Sequence, residues 1–196
     1  VNRTNLASPA TFFSAAKTME LMNADPKAVL AVMDSCVAHC PQPISADNAP
    51  YVLERAQMNM NAGEYRSAML DYDTYFKAVD GQVNDVFYYY REQAEFKARQ
   101  YQRALDDIAK AIELNPKELT YRAEQAVINL RVGRYEEALK VLDEVLAIDP
   151  KYAEAYRLKG ICLIQLKKQE EACANFAKAK ELGDANVDEL IKKHCK

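Results

Sequence analysis

A pattern that returns every 34 residues dominates this chain. The segments RQYQRALDDIAKAIELNP, GRYEEALKVLDEVLAIDP and KKQEEACANFAKAKELGD align without a gap, placing Ala104, Ala138 and Ala172 at equal intervals. A fourth segment, GEYRSAMLDYDTYFKAVD, carries Ala68, 36 residues before Ala104. A fixed period of this size specifies stacked supersecondary units, each too small to bury its own apolar face. Apolar residues recur at helical spacing and nothing alternates with period two, so each unit is a pair of helices.

The spacing predicts helices over 51–62 and 65–79, 85–98 and 101–114, 119–132 and 135–148, and 153–166 and 169–182. Gly63 and Gly133 fall in the turns, and Pro116 and Pro150 end helices. Proline disfavours helical geometry just before itself and cannot donate the next hydrogen bond. Ser8-Pro9 and Asp25-Pro26 are helix-start signals, a cap residue followed by proline. Setting Ala28 against Ala68 puts Phe12, Ala16, Met19 and Val32 at repeat-core columns, so residues 9–40 read as a degenerate helix pair. The three prolines of residues 41–50 mark a loop, and VDELIKKHCK (187–196) reads as a capping helix with Val187, Leu190 and Ile191 as its stripe. The expected organisation is one domain over 1–196, with units 51–84, 85–118, 119–152 and 153–186.

Net charge is −3, from 26 basic and 29 acidic residues, and no basic block is long enough to follow a phosphate backbone. That argues against nucleic acid as a partner. No apolar stretch approaches the roughly 18 residues that span a bilayer. The chain begins at Val1 rather than Met, as expected of a processed form or of a piece expressed on its own.

Enzyme motifs are scarce: there is no GxSxG, Walker loop, GxGxxG or HExxH. His39 and His194 stand near opposite ends of the array, so paired histidine catalysis is not expected. Cys36 and Cys40, one helical turn apart with His39 turned off their face, do not complete a tetrahedral zinc site. They read as small buried residues, and neither metal nor cofactor is expected. Arg55 and Asp71 share their pair of columns with Arg91 and Asp107, whereas the other two units lack both members (Gln125 with Val141, Lys159 with Asn175). The pattern predicts two Arg–Asp bridges, each within one unit.

The helix pairs resemble the tetratricopeptide repeat. A small residue stands in the first helix (Ala56, Ala126, Gly160), and an aromatic follows the turn (Tyr65, Tyr101, Tyr135, with Gln169 in the last unit). Alanine comes three residues later in all four units, then Tyr72, Ile108, Leu142 or Phe176, then Tyr75, Ala111, Val145 or Ala179. The closing proline is Pro116 and Pro150 but Asp80 and Asp184 elsewhere, while Glu92 and Arg122 depart from small and apolar columns. The match covers 51–184 well and 9–40 weakly.

The resemblance implies an all-α, right-handed α-solenoid of antiparallel helix pairs: four repeats, a degenerate N-terminal pair and a C-terminal capping helix. It implies a non-catalytic scaffold that binds protein or an extended peptide in a concave groove lined by the first helices. The corresponding columns give Gln57, Met60 and Asn61; Tyr89, Gln93, Phe96 and Lys97; Val127 and Arg131; and Arg157, with Leu53, Leu130, Ile161, Ile164 and Gln165 beside them. Amides would bond a peptide backbone, aromatics grip its side chains, and cations hold a carboxylate. The alternatives are an assembly protein acting through its end units, and a small-molecule or glycan module marked by a deep aromatic pocket near Tyr89 and Phe96. The tail is similar to the C-termini of exported bacterial members, where a cysteine in the last repeat accompanies one near the end. This implies a periplasmic or cell-envelope location. It leaves Cys173 with two possible partners, Cys162 and Cys195.

Overall fold

The structure is a computed structural model that describes residues 8–195; residues 1–7 and Lys196, the ends of the domain expected over 1–196, lie outside them. Among the described residues every regular element is helical. The chain forms two compact units that divide between Gln100 and Tyr101.

In the first unit, α1 (Pro9–Leu21) starts where the Ser8 hydroxyl accepts the Thr11 amide and Pro9 fills the first turn. It packs against α2 (Pro26–Ala38), and Ala16, Val29, Met33 and Cys36 close a core with Met58, flanked by Phe12, Met19 and Val32. The next helix, α3 (Ala49–Ala62), begins two residues before its expected start, taking Ala49 and Pro50 out of the loop. Proline is tolerated there because a first-turn amide has no helical partner to lose. Gly63 ends α3 at φ 80°, a left-handed conformation that glycine adopts without a Cβ penalty. After α4 (Tyr65–Ala78) and a loop comes α5 (Asp85–Lys97).

A buried ion pair ties α3 to α4. Arg55 donates to both carboxylate oxygens of Asp71 at 2.9 and 2.6 Å, and the Asn59 amide adds a bond of 3.0 Å. Asp34 of α2 reaches the same guanidinium at 3.2 Å. Burial pushes the Asp71 carboxyl above its ordinary value, although Arg55 and Asn59 pull the other way. Burial alone would lower Arg55, but Asp71 and Asp34 hold it above its ordinary value. Arg91 meets Asp73 of α4 at 3.4 Å and lies 4.7 Å over the Phe76 ring.

The second unit holds α6 (Tyr101–Leu114), α7 (Leu119–Arg131), α8 (Tyr135–Ile148), α9 (Ala153–Gln165), α10 (Gln169–Glu181), a 3₁₀ turn (Ala185–Val187) and α11 (Asp188–His194). Ala126, Ala138, Leu142, Val145, Ala155, Leu158 and Cys162 form one core, and Leu163, Ala172, Phe176, Ala179 and Val187 another. Alanines in the repeat columns let neighbouring helices approach closely, and glycine allows closer approach still. A Cβ on Gly160 would fall 2.3 Å from the buried Phe176 ring. Alanine in a helix interior gains roughly 0.5–1 kcal/mol over glycine. Overpacking of this severity costs about 3 kcal/mol, because the ring has nowhere to go. Gly160→Ala is therefore expected to lower stability by about 2 kcal/mol. A urea midpoint unchanged or raised would contradict the packing of α9 on α10.

Leu190, Ile191 and Cys195 pack α11 onto the second core, and a disulfide joins Cys195 to Cys173 of α10. The pairing left open between Cys162 and Cys195 falls to Cys195. Cys162, with Cys36 and Cys40, stays a buried free thiol. Burial raises the Cys36 and Cys162 thiols to about 11 and also lifts Cys40. At mildly alkaline pH the three remain protonated and poorly reactive. Iodoacetamide should label no cysteine in the folded, unreduced chain and all three free thiols after unfolding. Rapid labelling of the folded chain, read by mass, would contradict this burial.

Candidate peptide-binding surface

The first unit opens a cleft of about 600 Å³ between α3, α4 and α5. Leu53 of α3, Tyr75 of α4 and Val86, Phe87 and Tyr90 of α5 line it, with Gln82, Val83 and Asn84 from the α4–α5 loop. No charged side chain lines it. The floor is rigid: the Phe87 ring is buried, 5.3 Å from Tyr75, 5.8 Å from Tyr72 and 6.0 Å from Phe76. Asn84 caps α5 by accepting the Phe87 amide at 3.0 Å, which fixes that ring and the loop together. Val86 and Tyr90, one helical turn apart, form the open rim and are 39% and 44% exposed.

Of the residues expected from the repeat columns, Leu53 lines this cleft and the others lie elsewhere. Gln57 is exposed on α3, and Met60 packs on the core of Ala56, Tyr72 and Phe87. Asn61 borders a second recess of about 390 Å³ with Met58, Pro26 and Val29. Along α5, Tyr89, Gln93 and Phe96 are half-buried and Lys97 is exposed. The Tyr89 ring lies 5.9 Å from that of Tyr90, but the cleft is lined by Tyr90 and by neither Tyr89 nor Phe96. In the second unit Val127 packs on the core, and Arg131 is exposed in the last turn of α7. Arg157 donates to Asp184 at 2.7 Å and to Glu154 at 2.6 Å, which ties α9 to the turn after α10.

Val86, Tyr90 and the loop, which line the cleft, stand outside the columns. One signal was present in the sequence. The interval from Ala68 to Ala104 is two residues longer than the others, and the surplus falls in the α4–α5 loop. That loop runs over 79–84, six residues, against four (115–118) between α6 and α7 and four (149–152) between α8 and α9. The interruption in the period supplies one wall of the cleft.

The fold and this surface define a helix-pair repeat protein. Sequence models of the tetratricopeptide repeat match residues 93–153 and 129–183. Residues 93–183 of the chain carry tetratricopeptide repeats. It is similar in fold to the crystal structure of YrrB, described as a TPR protein with an unusual peptide-binding site, at a TM-score of 0.72 and 20% identity over 97% of this chain and 94% of that one. The crystal structure of MamA protein gives 0.71 and 18%, covering 96% of each. Among curated relatives, small glutamine-rich tetratricopeptide repeat-containing protein 2 of Mycosarcoma maydis is 31% identical over 96 residues, 49% of this chain and 27% of its own length. Tetratricopeptide repeat protein 4 of Mus musculus is 27% identical over 161 residues, 78% of this chain and 42% of its own. The matched part of the chain thus spans less than half the length of either relative. No helix among the described residues is long and apolar enough to cross a membrane.

Proposed function

We propose that the chain is a non-catalytic scaffold that binds an extended peptide along α3 and α5 of the first unit, with the Leu53–Tyr90 cleft as the anchor pocket. The uncharged cleft, aromatic at its floor and open at Val86 and Tyr90, carries this reading. Such a pocket desolvates an apolar side chain, while the amides of Gln82 and Asn84 stand at its edge for the peptide backbone. Gln57, Gln93 and Asn61 extend the polar part of the surface, and Tyr89, Phe96 and Lys97 continue it along α5. In the second unit Arg131 and Val127 belong to the same first-helix columns. Packed helices fix the pocket before the peptide arrives, so little ordering cost falls on binding. The Cys173–Cys195 bond supports an oxidising, extracytoplasmic location.

Peptides selected from a random display library against the whole chain test the proposal. Their affinity should fall at least about tenfold for Tyr90→Ala, the loss expected of an anchor residue. Affinity unchanged from that of the unaltered chain in both Tyr90→Ala and Val86→Ser would remove the cleft from the binding surface. Sedimentation should show a monomer. A dimer would instead favour self-association through the N-terminal helix pair, where Leu21 and Met22 are 86% and 75% exposed.

A further inference from the structure

At the C-terminal end of α5 the first unit gathers three cations that nothing among the described residues neutralises. Arg66, Lys97 and Arg99 stand round a recess of about 330 Å³ completed by Gly63, Glu64, Tyr65 and Ala98. All three are exposed, and none of their side chains enters a hydrogen bond or ion pair with a described residue. Three other arginines are held by the chain's own acids: Arg55 by Asp71, Arg91 by Asp73 and Arg157 by Asp184. In a chain of net charge −3, one recess with three cations and a single acid, Glu64, is an outlier.

The repeat shows that this grouping is confined to the first unit. Arg99 takes a left-handed conformation, φ 64°, in the column where Gly63 and Gly133 stand at φ 80°. Lys167, at φ 61°, repeats that choice in the second unit. There, however, Gln165 replaces Lys97 and Glu136 replaces Arg66. Only the first unit brings the three cations together.

Lys97 lies seven residues beyond Tyr90, on the same face of α5 and about 10 Å further along its axis. An extended chain covers that distance in about three residues. We propose that the recess binds the carboxylates of an acidic peptide segment whose apolar side chain, about three residues away, fills the Tyr90 cleft. This rests on the peptide-binding reading and adds to it the acidic character and the spacing. Carboxylates suit the site because three separated, flexible cations on a rim favour several charges spread along a chain.

Two fluorescent probes test it on the whole chain: acetyl-Leu-Gly-Gly-Glu-Glu-Glu-amide and its counterpart with glutamine at each glutamate. Each is titrated against the unaltered chain, the triple variant Arg66→Ala, Lys97→Ala, Arg99→Ala, and Tyr90→Ala. The three substituted cations are exposed, so the triple variant is expected to fold, as circular dichroism checks. The acidic probe should bind roughly tenfold or more tightly than the glutamine probe, and lose that margin in the triple variant and as salt rises. Amide signals of Gly63, Tyr65 and Ala98 should shift with the acidic probe alone. Equal binding of the two probes, no binding of either, or binding unchanged in the triple variant would overturn the proposal. So would inorganic phosphate competing as well as the acidic probe, which would make the recess a simple anion site. If Tyr90→Ala leaves the acidic margin intact while apolar anchoring proves absent, the recess stands and the cleft reading falls. Loss at Tyr90 with no effect of the cations would overturn the recess and leave the cleft standing.

Discussion

Asp71→Ala should cost the chain about 3 kcal/mol, seen as a lower urea midpoint by far-UV circular dichroism. The substitution strips Arg55 of the partner that holds it between α3 and α4 and leaves the Asn59 amide without its acceptor. Breaking a buried pair from one side leaves a charge that neither water nor protein satisfies. Arg55 keeps 23% exposure and the distant edge of Asp34, which puts the effect at the low end of the range for such pairs. The exposed pair of Lys110 and Glu113 provides the contrast, since surface pairs contribute about 0–1 kcal/mol. Replacing both Arg55 and Asp71 by apolar residues of similar volume should restore much of the loss. Equal effects of Asp71→Ala and Glu113→Ala would contradict the buried bridge.

Cys195→Ser is the second large effect, and it should act locally. Cys173 and Cys195 are 22 residues apart, and closing a loop of that length reduces the entropy of the unfolded chain by about 3 kcal/mol at room temperature. The cap has little else to hold it. A helix of seven residues is unstable alone. Its other ties are Leu190 and Ile191 on the Phe176 core, the bond from Gln169 to the His194 carbonyl, and an exposed bridge from Lys180 to Asp188. Amides of α11 should exchange with solvent much faster in Cys195→Ser, while those of α3 and α4 are unaffected. Cys173→Ser should match it, and the double variant should add nothing, as befits two halves of one bond. Unchanged protection of α11 would mean that packing alone secures the cap.

The repeat columns carried most of the fold because each alanine in them does one physical job. Ala56, Ala68, Ala104, Ala126, Ala138 and Ala172 are all fully or almost fully buried, at close approaches of helices. The helix limits followed from the same period, and the one early start, at Ala49, came from a proline that a first turn tolerates. The surface was harder to read. The columns mark residues that face one way in an average repeat, whereas the cleft is made where this chain departs from the average. Its wall comes from the loop holding the two surplus residues, and its rim falls to Tyr90 rather than Tyr89. Arg157 illustrates the same limit. Its column suggested a free cation, but Asp184, standing where other repeats close with proline, takes up its charge. A partner across a turn cannot be inferred from a column.

Site-directed photocrosslinking tests the central claim most directly. Benzoylphenylalanine in place of Tyr90 should crosslink a bound peptide or protein segment, and the same group in place of Leu70, exposed on α4 outside the cleft, should not. Crosslinks at Tyr90 that an excess of selected peptide suppresses would establish the cleft as the binding site. Crosslinks at Leu70 but none at Tyr90 would place binding on another face of the first unit and contradict the account.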